Sequence, residues 1–200
     1  MRIGIIGAGN IGGTLARLLA GAGHEVVLAN SRGPETLAAL VAGIGEQASA
    51  GTAAEASEFG QVVIVAVPFP AYTDLPAALL AGGKVVVDAN NDWSGGAAAA
   101  TSSSERIADF LPGAKVVKAF NSIHYVQLAD QGTPTGTPGR RAIPIAGDDP
   151  EAKATVSGLI DEIGFDVYDV GSLADGRRIE PGSPVFNVGL TRDEVAAALA

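Results

Sequence analysis

A glycine-rich segment near the N-terminus has the spacing of a dinucleotide-binding turn. It follows the apolar run Ile3–Ile6 and opens a helical pattern that runs from Asn10 to about Leu19. In this arrangement the first glycine makes a tight turn, the second lets the backbone approach a pyrophosphate, and the third lets helix and strand pack closely. The N-terminus of the helix adds free N–H groups and partial positive charge. We therefore expect Gly7, Gly9, Asn10, Ile11 and Gly12 to bind the cofactor phosphates.

The end of the second apolar run, Val26–Leu28, distinguishes between NAD and NADP. An NAD-binding protein usually places a carboxylate here for the ribose 2′-hydroxyl, and this chain has none. The Ser31 hydroxyl can instead donate to a phosphate, and the Arg32 guanidinium can pair with it through two hydrogen bonds. The sequence predicts NADP(H), with its 2′-phosphate at Asn30, Ser31 and Arg32.

Three further strand ends are expected to line the same crevice, because ligands in such sheets bind beyond the carboxyl ends of the strands. Aromatic and amide side chains are concentrated there, which suits a planar aromatic substrate. Those assigned to the cofactor are Val67, Pro68, Tyr72 and Asn90, and those assigned to the substrate are Phe69, Asn91, Trp93, Asn121, Ser122 and His124.

Acid–base groups are scarce in this set. His124 is the one histidine suited to catalysis, since His24 reads as a surface residue, and no Tyr-x-x-x-Lys pair is present. The chain has no cysteine, and no His/Asp/Glu cluster has the spacing of a metal site. This favours direct hydride transfer to a flavin or deazaflavin ring, in which the cofactors supply the chemistry and the protein supplies orientation.

The elements that must position these residues are strands alternating with helices. Short β-branched runs are typical of strands buried on both faces of a parallel sheet, and helix starts are indicated by capping boxes and by Asp149-Pro150. The predicted fold is α/β, a Rossmann-type doubly wound and mostly parallel sheet. The runs are Ile3–Ile6, Val26–Leu28, Val62–Val67, Val85–Val87, Val116–Val117, Ile143–Ala146 and Phe165–Tyr168, and the capping boxes begin at Thr52, Ser102 and Thr191.

The same alternation predicts how the chain is organised. We expect an NADP-binding domain over residues 1–120 and a small α/β extension over 121–200 that packs on the same sheet at the substrate side. Two loop-like segments, Gly132–Arg141 and Gly95–Ser104, are candidates for mobility.

The composition of the chain argues against two classes of binding partner. The chain has 200 residues, 47% of them apolar, and a net charge of −9 without a cluster of basic residues, so we expect a packed globule that binds neither nucleic acid nor anionic membranes. The sequence runs directly into a strand and has no apolar run near the ~20 residues that span a bilayer. The expected location is cytoplasmic.

Taken together, several motifs resemble the NADPH:F420 oxidoreductase family over nearly the whole chain. They are Gly7–Gly12, Asn30–Arg32, Val67-Pro68, Lys118–Asn121, Ile145–Asp149 and Asp169–Arg177. The Lys118–Asn121 segment is also similar to the cytoplasmic reductase domain of six-transmembrane ferric reductases, which pass electrons from NADPH to flavin.

The resemblance implies how the ligands lie. NADPH would lie over Gly9–Ile11, its nicotinamide near Pro68 and Asn90, and the deazaflavin coenzyme F420 near 121–124, in a homodimer. Two departures stand out: Asn121 occupies a position where archaeal members have histidine, and Glu35-Thr36 replaces a basic residue after Ser31-Arg32.

Four functions remain open at this point. The first is hydride transfer between NADPH and F420, and the second is NADPH-dependent reduction of FMN or FAD. The third is an imine or carbonyl reductase of the pyrroline-carboxylate or 6-phosphogluconate type, although those enzymes add a helical dimerisation domain that the last 80 residues do not resemble. The fourth is a non-catalytic NADPH-sensing protein, against which the aromatic side chains at the strand ends argue.

Overall fold

The computed structural model describes residues 1–94 and 101–200. They form one eight-stranded sheet in the order β3-β2-β1-β4-β5-β6-β7-β8, which contains the 3-2-1-4-5-6 order of a Rossmann fold. All neighbours are parallel except β6 and β7. The predicted fold class is confirmed. The strands are β1 (Arg2–Ile6), β2 (Glu25–Ala29), β3 (Ala48–Ala50), β4 (Val62–Val65), β5 (Val85–Asp88), β6 (Lys115–Lys118), β7 (Ala142–Gly147) and β8 (Asp166–Asp169).

Helices cover both faces of the sheet, and they begin where local capping chemistry predicts. Thr52, Ser102 and Thr191 each form a complete capping box, and the Asp149 side chain accepts from the Ala152 N–H. The α-helices of the described residues are α1 (Asn10–Gly21), α2 (Ala38–Ile44), α3 (Ala53–Phe59), α4 (Ala77–Leu80), α5 (Ser103–Phe110), α6 (Tyr125–Asp130), α7 (Pro150–Glu162) and α8 (Arg192–Ala198), and 3-10 segments span Pro34–Leu37, Phe69–Asp74 and Leu173–Ile179.

The core consists of two main apolar layers, one on each side of the sheet. On one side, residues of α1, α6 and α7 pack together, including Leu15, Leu128 and Val156. On the other, residues of α4 and α5 pack beside the segment after β4, including Leu80 and Ile107. β4 is buried along its whole length, as expected for a strand covered on both faces. The carboxyl ends of β1, β2, β4, β5 and β6 are left at one edge of the sheet.

Some sequence expectations need correction. The short edge strand β3 has no apolar run to mark it, because its residues are alanine and serine. His24 is not a surface residue: it is 6% exposed, its Nε2 lies 2.6 Å from Glu162 Oε2 and its Nδ1 lies 2.9 Å from the N-terminal ammonium. The end of α7 brings Glu162 to this histidine from 138 residues away, which no local pattern reveals.

One of the two segments expected to be mobile is described only in part. In Gly95–Ser104, residues 95–100 lie outside the described residues, and Ser103 belongs to α5. Among the helices of the described ranges, none combines the length and the apolar character needed to cross a membrane.

Candidate functional site

The turn between β1 and α1 is built so that only glycine fits at two of its positions. Gly7 has φ +111°, and a Cβ on it would collide with the Ala66 carbonyl oxygen. A Cβ on Gly12 would collide with the Gly7 carbonyl oxygen. These close approaches fix the turn against β4 and bring α1 close to the sheet.

Gly9, at the N-cap of α1, differs from both. It is exposed, and a Cβ built on it would meet no atom of the described residues within 4 Å. The free space lies where the backbone N–H groups of the first helical turn lack intrahelical partners. A negatively charged group can therefore approach the backbone at Gly9 without obstruction, and the turn fits the pyrophosphate of a dinucleotide.

A cleft at the carboxyl edge of the sheet has two lobes. The phosphate lobe, of about 370 Å³, extends from this turn to the end of β2 and is bordered by Asn30, Ser31 and Arg32. The wide lobe, of about 810 Å³, extends towards the ends of β4 and β5. Both lobes are lined by Gly9, Ala66, Val67 and Pro68, so they meet at the β1–α1 turn.

Side-chain hydrogen bonds shape the loop in the phosphate lobe. Asn30 Oδ1 accepts from the Arg32 N–H at 2.9 Å, and Asn30 Nδ2 donates to Thr36 Oγ1 at 2.9 Å. Asn30 thus folds the loop that carries Arg32, whose exposed guanidinium is free of carboxylate partners in the described chain. Asp74, which sequence analysis did not select, also borders this lobe.

The wide lobe is lined by most of the residues expected near the nicotinamide and the substrate, namely Val67, Pro68, Phe69, Asn90, Asn91 and Trp93. Gly9, Asn10 and Ile11, which were expected at the phosphates, also line it, and sequence analysis missed Asp92, Ser94 and Arg106. Trp93 is 74% exposed and meets the ring of Phe186 edge-on at 5.8 Å. The wide lobe therefore has an aromatic rim that joins the end of β5 to the C-terminal part of the chain.

Asn90 is the buried polar residue of this lobe. It is 3% exposed, yet neither Oδ1 nor Nδ2 has a hydrogen-bond partner in residues 1–94 and 101–200. Buried amides are normally satisfied, so a donor and an acceptor at the lobe wall indicate a place for a ligand's polar groups.

A buried charge cluster holds the backbone of Asn90. Asp88 Oδ1 accepts from the Asn90 N–H at 2.9 Å, and Lys118 Nζ donates to the Asn90 carbonyl at 3.3 Å. Lys118 also lies 3.4 Å from Asp88 Oδ2 and 3.3 Å from Glu180 Oε1. All three side chains are at most 1% exposed, so their hydrogen bonds hold the backbone of Asn90 in a fixed position.

Two serines at the start of α5 complete this cluster. Ser103 Oγ accepts from Lys118 Nζ at 2.7 Å and donates to Glu180 Oε1 at 2.7 Å, while Ser104 Oγ donates to Asp88 Oδ2 at 2.5 Å. Sequence analysis did not find the cluster, although a lysine and an aspartate at the ends of buried β-branched strands were a usable signal.

Arg106 of α5 borders the wide lobe beside aromatic rings. Its guanidinium carbon lies 4.7 Å from the centre of the Phe69 ring and 5.9 Å from that of Tyr72, and its Nη1 donates to Asp92 Oδ2 at 2.6 Å. Hydrogen bonds from Ser94, helped by Arg106, hold the pKa of Asp92 below its usual range. Tyr72 does not border either lobe; it packs between Phe69 and Phe110.

The residues after β6 lie beside the cleft rather than in its lining. Asn121 Nδ2 donates to the Ile179 carbonyl at 2.8 Å and to Asn91 Oδ1 at 3.2 Å, which connects it to the wide lobe. Asn121 Oδ1 and Ser122 Oγ are buried without partners among the described residues. The chain turns here at Phe120, which is buried with φ +64°, a costly conformation for a bulky residue.

His124 is exposed and caps α6, with Nδ1 3.4 Å from the Val126 N–H, and its ring packs on Tyr125. In the described part of the chain, no group of three His, Asp or Glu side chains could hold a metal ion.

Comparison with known proteins places this site in a family. A family model described as "NADP oxidoreductase coenzyme F420-dependent" matches residues 2–92, the part that contains the β1–α1 turn, the phosphate lobe and Asn90. The chain belongs to this family. The chain is 34% identical to the hypothetical protein SMa0349 of Sinorhizobium meliloti, with a TM-score of 0.83 over 96% of this chain and 95% of that one.

Two other relatives have names that mention an activity. A protein from Arthrobacter sp. FB24, assigned provisionally as an F420-dependent NADP-reductase, is 29% identical, with a TM-score of 0.76 over 88% of this chain and 87% of that one. Metalloreductase STEAP3 of Rattus norvegicus is 36% identical over 181 residues, which are 90% of this chain but 36% of STEAP3. The chain thus spans about a third of the length of this curated relative. These relationships confirm the resemblance stated above and support an NADP-dependent oxidoreductase.

Proposed function

We propose that the protein transfers hydride between NADPH and the deazaflavin coenzyme F420. The observation that carries the proposal is the two-lobed cleft: a phosphate lobe with Ser31 and Arg32 joins, at Gly9 and Pro68, a wide lobe with aromatic and amide walls. A dinucleotide that spans both lobes would leave its nicotinamide in the wide lobe, next to space for a second planar ring. The family model and the Arthrobacter relative support the choice of acceptor.

The cleft supplies little acid–base chemistry, which suits this reaction. Asp92 and Arg106 are the ionisable side chains that line the wide lobe in the described residues, and they are tied to each other at 2.6 Å. Bound NADPH would supply the hydride, the deazaflavin would accept it, and water would supply the proton that completes the reduction. The protein orients the rings and need not donate a proton.

Asn90 and its neighbours would orient the rings. Asn90 presents an amide that has no hydrogen-bond partner within residues 1–94 and 101–200, and its backbone is held by Asp88 and Lys118. The donor and acceptor of this amide complement a carboxamide or ribose hydroxyls. Asn91, Asn121 and Ser122 extend the polar wall towards the space beyond, where we place the acceptor. Phe69 and Trp93 supply apolar contact for its ring.

A steady-state assay tests this function. The purified protein is mixed with NADPH and either F420, FMN or FAD, with NADH as the control donor. Bleaching of the deazaflavin absorbance with NADPH, and much more slowly with NADH, is the expected result. Tight NADPH binding with no reduction of F420 would contradict it.

Reduction of an ordinary flavin is the second candidate. Two observations favour it: Asn121 stands where archaeal members have histidine, and the chain is 36% identical to part of a metalloreductase, STEAP3. Turnover with FMN or FAD but not with F420 would establish this function. Turnover with imines or carbonyls alone would establish the third candidate.

A further inference from the structure

Arg141, immediately before β7, is an unusual buried cation. Three lysine or arginine side chains are buried in the described residues: Lys118, Arg140 and Arg141. Lys118 contacts the carboxylates of Asp88 and Glu180, and Arg140 contacts those of Asp161 and Asp166. Arg141 is 7% exposed and has no carboxylate within 4.0 Å in the described chain.

The hydrogen-bond partners of Arg141 are all neutral. Its Nη1 donates to Gln127 Oε1 at 2.8 Å and to Gln131 Oε1 at 2.7 Å, and its Nη2 donates to the Val188 carbonyl at 3.3 Å. A guanidinium has five N–H groups, so two remain, including that of Nε, which has no partner among the described residues. Burial lowers the pKa of Arg141, but a guanidinium keeps its charge. A buried charge without a counter-charge is costly.

A cavity of about 350 Å³ lies against this guanidinium. It shares no lining residue with either lobe of the cleft. The segment Gly132–Arg141 forms much of its wall and contributes Thr133, whose buried Oγ1 has no partner in the described residues, and Thr137. The cavity wall therefore includes a cation without a counter-charge and a hydroxyl without a hydrogen-bond partner among the described residues.

We propose that this cavity binds a small oxyanion, a phosphate or a carboxylate group, held by Arg141 and Thr133. Guanidinium groups bind both anions through paired charge-assisted hydrogen bonds, and the volume exceeds the ~30 Å³ of one water many times over. The other charged residues of the wall already have ion-pair or hydrogen-bond partners. Arg140 is neutralised by Asp161 and Asp166, and Glu194 Oε2 accepts from the N–H and Oγ1 of Thr191 in a capping box.

An anion in this cavity would be coupled to the acceptor side of the cleft. Arg141 holds Gln127 of α6 and Gln131 at the C-cap of that helix, whose N-cap is His124. It also contacts Val188, whose neighbour Asn187 donates to the Ser122 carbonyl at 3.0 Å. The oxyanion can accordingly be a free ion or the anionic tail of a molecule whose ring lies in the wide lobe.

Phosphate-dependent thermal unfolding tests the proposal. The full chain carries Arg32→Ala, so that the phosphate lobe does not contribute, and inorganic phosphate replaces chloride at constant ionic strength. We expect Tm to rise with phosphate, because a ligand that binds only the folded state stabilises it, and we expect Arg141→Gln to abolish the rise. An equal rise in both proteins, or no rise in either, would overturn the proposal.

Two milder variants keep the test valid if Arg141→Gln does not fold. Thr133→Val removes one hydrogen bond to the anion and should weaken phosphate binding about tenfold. Glu194→Gln removes a negative charge from the wall and should tighten binding about two- to fivefold. Unchanged phosphate affinity in both variants contradicts the assignment.

A second measurement identifies the source of the anion and rests on the proposed function. The Michaelis constants of F420 and of its deazariboflavin analogue without the phosphate tail are compared in the wild type and in Arg141→Gln. A rise for F420 alone assigns the site to the acceptor tail, and no change for either assigns it to a free oxyanion. If neither acceptor is reduced, the proposed function fails, while the phosphate result still decides on the site.

Discussion

At the residue scale, Arg32 is the side chain on which cofactor choice depends. Its guanidinium borders the phosphate lobe and has no carboxylate partner in the described chain. Arg32→Ala should weaken NADPH binding by about one to two orders of magnitude, because a charge-assisted pair contributes roughly 1.5–3 kcal/mol, and should leave NADH binding nearly unchanged. Isothermal titration with both cofactors measures this.

Arg17→Ala is the matched control, since Arg17 is an exposed arginine on α1 that borders neither lobe. It should leave both affinities unchanged. Equal losses for NADPH and NADH in Arg32→Ala would mean that the 2′-phosphate binds elsewhere.

His124 is the sequence-based candidate for an acid, and its surroundings favour a structural role. It is exposed, caps α6 and borders neither lobe. Asparagine is also a good capping residue, so His124→Asn should keep substantial turnover. A loss of several orders of magnitude in kcat would instead show that His124 donates a proton, and would favour a small-molecule substrate over a deazaflavin.

The sequence pointed to some of the residues that line the cleft and missed others. Gly9 and Arg32 could be selected as candidates because their motifs consist of a few consecutive residues. Lys118, Glu180 and Arg106 could not, because their partners come from distant parts of the chain: Ser103 and Glu180 are 77 residues apart. The lysine in β6 was visible in the sequence, but nothing local indicated which carboxylates it meets.

At the scale of elements, the β1–α1 turn contains glycines that are needed for stability and one, Gly9, that we expect to be needed only for cofactor binding. Gly9→Ala places a methyl group in open space, so Tm should stay close to that of the wild type while NADPH affinity falls about tenfold or more, because the backbone must approach the pyrophosphate here. Thermal unfolding and NADPH titration of the same preparation check both parts.

Gly12→Ala and Gly21→Ala are the comparisons for this turn. The first puts a Cβ against the Gly7 carbonyl and should lower Tm, whereas the second, at the end of α1, meets nothing within 4 Å and should change neither property. Unaltered NADPH affinity in Gly9→Ala would remove the turn from the cofactor site.

Helix boundaries were more predictable than strand arrangement. Capping boxes such as Thr52–Glu55 act within one turn of helix, so four residues suffice to find them. The antiparallel pairing of β6 with β7 involves two residue pairs, Val117 with Gly147 and Lys118 with Ala146. No local sequence pattern predicts this pairing. Without that pairing, the sequence could not place Arg141 against α6.

At the scale of the whole molecule, Lys118 connects parts that are far apart in sequence. It contacts the end of β5, the start of α5 and Glu180 after the last 3-10 segment. Lys118→Met should lower the free energy of unfolding by about 3–5 kcal/mol, because two buried carboxylates lose their counter-charge. Urea-induced unfolding measures the change.

Lys115→Met, at the other end of the same strand, is the matched control. Its side chain is 34% exposed and pairs with Asp149 at 2.9 Å, so the loss should be much smaller than for Lys118→Met, because solvent screens an exposed ion pair. Similar losses for the two variants would show that the buried cluster does not stabilise the fold beyond an ordinary surface ion pair.

The central claim is that hydride passes directly from NADPH to the acceptor ring within this cleft. The most direct test uses NADPH carrying deuterium at C4, in separate preparations labelled on either face, with F420 as acceptor and mass spectrometry of the reduced product. The account predicts that deuterium from one of the two preparations appears at C5 of the reduced deazaflavin. Reduced product without deuterium from either preparation, or no reduced product at all, would contradict it.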